Sequence, residues 1–146
     1  MAAELGSTVQ LVGRIGDDPH ADAVLHDLVT RGVGHVAILR DPSHPTPVGD
    51  DETAPGPGLA IEGADVELAL RYLTEFAVLV VIDGDVAIRS VAERAAAWGG
   101  ARLILIGGIG AGLTPASGET PDAFAARVAA LAVELDQAAA TVRSVR

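Results

Sequence analysis

Apolar residues recur along this chain in two alternating rhythms. Thr8–Gly13 reads TVQLVG, a short β-rich run that stops at glycine. Asp18-Pro19 then has the form of a helix start: a carboxylate before proline caps, and proline fits the first helical position. Val24, Leu25, Leu28 and Val29 give that helix an apolar stripe, which Gly32 and Gly34 close. HVAIL at His35–Leu39 is the next predicted strand. A helix is expected over roughly residues 64–76, followed by the continuous apolar strand AVLVVI at Ala77–Ile82. Ile88, Val91, Ala92, Ala95 and Trp98 mark another helix, broken by Gly99-Gly100. RLILI from Arg102 is the last strand, and Phe124, Val128, Leu131 and Leu135 share one face of a final helix.

Strands alternating with helices imply right-handed crossovers and a parallel sheet. The expectation is an α/β fold, three layers deep (α/β/α), with a mainly parallel sheet of four or five strands forming a single domain over 1–146. Ala77–Ile82, apolar throughout, is expected in the middle of that sheet with both faces covered. Residues 41–58, DPSHPTPVGDDETAPGPG, hold five prolines and no periodicity, so they read as a surface loop or reduced lid.

Composition narrows the function. Aromatics make up only 3% of the residues, so the core must be built from Ala, Val, Leu and Ile. A net charge of −10 argues against a nucleic-acid partner, which needs clustered Lys and Arg to neutralise phosphates. No apolar run is long enough to span a membrane and no export signal is evident, which predicts a cytoplasmic protein. Cysteine is absent, excluding disulfides and thiolate metal sites. The four histidines lack zinc-ligand spacing, and no metal site is expected.

The stretch LVGRIGDDPHADAVLHDLVTRGVGHVAILRDPSHPTPV resembles the ribokinase-like (PfkB-type) carbohydrate kinases, with Gly13, Gly16, Asp17, Asp18, Gly32, Val33 and Thr46 as the matching positions. LALRYLTEFAVLVVI and VAERAAAWGGARLILIGG are similar to the family's middle strands and helices. DAFAARVAAL resembles its C-terminal helix, whose Gly-Ala-Gly-Asp-Ala-Phe start supplies an anion hole and the catalytic base. In that register Asp122 is the base. The resemblance implies a ribokinase-like fold and ATP- and Mg²⁺-dependent phosphorylation of a sugar or nucleoside hydroxyl. Asp122 would take the hydroxyl proton, while Gly108, Gly110 and Gly112 would face phosphate and Gly16, Asp17 and Asp18 would border the substrate.

Departures from the family pattern shift the expectation. The chain is considerably shorter than family members, and it contains neither Lys nor Asn. The family's Gly-Gly-Lys sugar motif and its Asn-x-x-Glu element are therefore impossible. Glu119, Thr120 and Pro121 stand where Gly, Ala and Gly would form the anion hole. Such a hole works by aiming backbone N–H groups at developing charge, and Pro121 has none to give. An unscreened carboxylate about 4 Å from the moving phosphoryl group costs about 4 kcal/mol at an intermediate dielectric. At about 1.4 kcal/mol per tenfold in rate, this is several hundredfold.

Each candidate also has a structural reading. Thr120 can cap the last helix, leaving Asp122 as a first-turn acid favoured by the helix dipole. Asp83 and Asp85 flank Gly84 at the carboxyl end of a strand, where they form either a Mg²⁺ pair or a turn and cap. Taken together, these features predict a shortened, catalytically impaired carbohydrate-kinase-like protein that binds a small sugar or nucleotide or acts as a homodimeric or larger module. The alternative is an active ATP-dependent kinase with Asp122 as base. An open sheet edge adds an expectation of self-association.

Overall fold

The structure, a computed structural model, describes residues 1–47, 59–107 and 112–144. Strands and helices alternate as β1 (Val9–Gly16), α1 (Pro19–Thr30), β2 (Val33–Asp41), α2 (Gly63–Tyr72), β3 (Val78–Ile82), α3 (Val86–Gly99), β4 (Arg102–Ile106) and α4 (Pro121–Ser144). The α/β class and the parallel pairing follow the expectation.

The sheet differs from it. The described strands form two separate parallel ribbons, β1 with β2 and β3 with β4, in place of one sheet of four or five strands. The first ribbon holds Val9 against Val33 and Gly16 against Asp41, with an irregularity between Gln10 and Val12 where β2 carries an extra residue. The second runs in simple register from Val78 with Arg102 to Ile82 with Ile106. β3 is therefore not a central strand: Val80 is 37% and Ile82 68% exposed. An uninterrupted apolar run requires only that some surface meet it, and it does not reveal whether a strand lies on each side.

Local chemistry sets the helix ends. Asp18 adopts an extended conformation and accepts the Ala21 N–H at 2.8 Å, with Pro19 at the start of α1. Asp85 accepts the Ile88 N–H at 2.8 Å to cap α3, and Gly100, left-handed at φ 66°, ends it. α2 begins with a reciprocal box in which Asp65 accepts the Glu62 N–H at 2.9 Å. It stops at Tyr72, short of the expected Phe76, and the chain then straightens towards β3.

The described core is built mostly of alanine and valine, with Leu59, Ile88 and Ile104 as its larger members. Ala21 and Ala92 are fully enclosed, Ala37, Ala69, Ala96, Val66, Ile88, Ile104, Val128 and Val133 are buried, and no large side chain is sealed completely. Small side chains remove little apolar area each, at about 25 cal/mol per Å². Polar links accordingly matter to this fold. Arg14 of β1 meets Asp65 of α2 at 2.8 Å with both side chains largely buried, and Ser7 donates to Asp136 of α4 at 3.1 Å. No helix among the described residues is long and apolar enough to cross a membrane.

Candidate functional site

The carboxyl ends of β1 and β2 carry a connected polar cluster. Gly16, the last residue of β1, donates its N–H to the Thr46 hydroxyl at 3.0 Å, and Thr46 donates its own N–H to Asp18 at 2.6 Å. Thr46 is 5% exposed, the one buried polar side chain among the described residues. One Asp18 carboxylate thus binds the first turn of α1 and the segment that follows β2. The Thr46 and Ala21 amides hold its pKa below the ordinary aspartate value. Close approach demands glycine at position 16: a Cβ there would stand 2.6 Å from the His44 carbonyl oxygen, 2.6 Å from the Thr46 nitrogen and 2.7 Å from an Asp18 oxygen.

Around this latch Asp17, Asp22, Arg40 and Asp41 all have partners. Arg40 bridges Asp17, at 3.0 Å, and Asp22. Asp41 accepts the Ser43 N–H at 2.8 Å and faces the His44 ring at 3.0 Å, and these contacts lower its pKa, the Ser43 amide most. Gly16, Asp17 and Asp18 lie side by side at this corner. Their visible work is to fasten the base of the proline-rich segment, most of which (residues 48–58) lies outside the described residues.

The second ribbon ends in a tight turn. Asp83 follows β3 with φ 49°, the described non-glycine residue in the left-handed region, and donates its N–H to Ile106 at 2.8 Å. Its carboxylate lies over Gly107, itself at φ 61°, where any side chain would collide with it. Beyond β4 the chain is pinned by Leu113, which donates to Leu105 at 2.6 Å and accepts from Gly107 at 3.2 Å. Gly112 packs against the backbone there, its α-carbon region facing the Gly107 and Leu105 carbonyl oxygens. Gly108 and Gly110 lie outside the described residues. The Val81–Gly84–Arg89–Leu105–Gly107 corner encloses a cavity of only about 10 Å³, room for one water.

At the start of α4, Thr120 accepts the Ala123 N–H at 3.2 Å through its hydroxyl, Pro121 begins the helix, and Asp122 is an exposed acid of the first turn. Beside it Glu119 is clamped by Arg127 through two contacts of 2.9 Å, and it accepts the Ala116 N–H at 2.8 Å. Arg127 also donates to the Thr114 carbonyl at 3.0 Å and lies 5.0 Å from the centre of the Phe124 ring. This clamp is absent from the sequence reading. The spacing of Glu119 and Arg127 does not announce it, because Glu119 lies in the turn that precedes α4.

The clamp lowers the Glu119 pKa to about 2, mainly through the Arg127 guanidinium and then the Ala116 amide. Its folded pKa lies below the unfolded value, so the contribution to stability is complete above about pH 4.5 and is lost as pH falls through about 2. Glu119→Gln is expected to flatten that part of the acid-unfolding curve, measured by circular dichroism, and to lower stability by a constant amount from about pH 4.5 upward.

No group of three or more His, Cys, Asp or Glu side chains among the described residues is placed to hold a metal ion. A shallow groove of about 640 Å³ runs between α2 and α3, but its acids are engaged as caps or in pairing with arginine. Comparison of the sequence with protein-family models and with curated proteins finds no match to either.

Proposed function

We propose that this protein is a carbohydrate-kinase-like module that does not transfer phosphate efficiently and instead binds a small sugar or nucleotide, or works as a homo-oligomer. The observation that carries the reading is the chemistry at the start of α4. Thr120 occupies the Ala123 amide, Pro121 contributes no N–H, and the Glu119 carboxylate is fixed alongside. Arg127 offsets part of the repulsion that an unpaired Glu119 would impose on a phosphate. The missing donors remain the larger obstacle, because stabilisation of a transferring group depends on amides already aimed at it.

The finer fold belongs to the same proposal. Arg14 shares a face of the first ribbon with its register partner Leu39, so Arg40 points to the opposite face. Arg14 reaches α2 and Arg40 reaches α1. Helices flanking a ribbon on both faces support a three-layer, ribokinase-like arrangement.

In the alternative reading, Asp122 is a working base. The two readings part in a coupled assay of ATP turnover with a panel of pentoses, hexoses and nucleosides in the presence of Mg²⁺. The expected result is no turnover above the no-enzyme background. Turnover that Asp122→Ala abolishes would establish the kinase reading in its place.

A further inference from the structure

The free edge of β3 points to a second copy of this chain. In the second ribbon Arg102 donates to the Ala77 carbonyl at 2.8 Å and Asp83 donates to Ile106, so the odd-numbered residues of β3 face β4. The N–H and C=O groups of Val78, Val80 and Ile82 consequently face away from it, and among the described residues β3 pairs with β4 alone.

The other three strands each carry a feature that discourages edge pairing. β2 has its irregularity and ends in Arg40-Asp41, β1 carries Gly13, Arg14 and a terminal amide taken by Thr46, and Leu113 bonds β4 near its end. β3 has no bulge, proline or charge, and such an edge is covered in a native protein.

We infer that two copies pair their β3 strands antiparallel about a twofold axis at Val80, giving a closed dimer with sheet order β4-β3-β3-β4. A second copy fits better than an unrelated strand because the edge is complementary to itself. Such pairing closes both edges at once, whereas a head-to-tail contact leaves one open. Centred on Val80, it sets Val78 opposite Ile82 and exchanges about six backbone hydrogen bonds.

Surface area allows this. The chain exposes 9609 Å², against about 7,000 Å² expected for a folded monomer of its mass, and a standard interface covers about 800 Å² per partner. The same pairing brings Glu75 towards Asp85 and Asp83 towards Ala77 at both rims, all on a chain of net charge −10. The dimer is therefore strengthened by salt, which screens these like charges. The inference stands independently of the kinase-like reading, since it uses only the second ribbon.

Sedimentation velocity of the full chain from 1 to about 100 µM, in about 50 mM and 500 mM NaCl, tests it. A dimer is expected whose dissociation constant falls several-fold at the higher salt. Val80→Lys and the milder Ile82→Lys, at a more exposed position, are expected to give monomers with wild-type circular dichroism. Val36→Lys, on the 76%-exposed position of β2, is expected to remain dimeric. A wild-type monomer at the highest concentration and salt would overturn the inference. So would a dimer that withstands Ile82→Lys.

Discussion

Gly16→Ala is expected to destabilise the protein by about 3 kcal/mol, the penalty of forcing an extra carbon into a site that cannot relax. The atoms in its way are mainly backbone, the His44 carbonyl oxygen and the Thr46 nitrogen, both 2.6 Å from the new Cβ. Moving them apart breaks the Gly16–Thr46 and Thr46–Asp18 hydrogen bonds together. In a domain of this size the loss corresponds to a fall of roughly 10 °C in Tm. Gly13→Ala is the control, because a Cβ at that position of the same strand meets nothing within 4 Å. Thermal denaturation of the two variants should separate them widely. Equal midpoints would mean that the latch is not packed as described.

The second large effect is expected at the ion pair joining β1 to α2. Arg14→Ala should cost roughly 2 kcal/mol, because the Asp65 carboxylate, 15% exposed, keeps its burial and loses its cation. Asp65→Ala should cost more, since Asp65 also closes the cap of α2 by accepting the Glu62 N–H. Residues in direct contact couple, so the double variant should fall short of the sum of the single losses by about 1 kcal/mol. Urea denaturation of the four proteins measures that coupling. Strict additivity would show that the two side chains do not act as a pair.

Much of the fold was legible because it rests on short-range chemistry. Asp18-Pro19 announces a capped helix, and the cap is found on the Ala21 amide. Gly99-Gly100 announces a stop, and Gly100 adopts the left-handed conformation that ends α3. Pairing between distant strands was less legible. β3 is apolar at every position, which suits a central strand and an edge strand destined for a partner equally well. The extra residue in β2 and the early end of α2 depend on what each segment packs against, and periodicity carries no record of that.

The candidate site divides in the same way. Gly16, Asp17 and Asp18 were recognisable as a group because they are consecutive, yet their partners Thr46 and Arg40 lie more than twenty residues away. Thr120 and Pro121 beside Asp122 spelled out a helix start in one short stretch, and the cap is there. The Arg127 clamp on Glu119 depends on how the preceding turn folds back on α4, which the spacing alone does not fix. This clamp also revises the electrostatic argument. A carboxylate that looked like bare negative charge in the sequence is half of an ion pair, so the proposed reading rests more on the shortage of amide donors than on repulsion.

That shortage is the central claim, and calorimetric titration of Mg·ATP into the protein tests it most directly, with Asp122→Ala titrated alongside. If the first turn of α4 offers too few amides for a phosphate, neither protein gives a saturable heat attributable to that turn at nucleotide concentrations up to about 1 mM, a bound of roughly 4 kcal/mol in affinity. Saturable binding well below that concentration, weakened in Asp122→Ala and accompanied by protection of the amides at the start of α4, would contradict it.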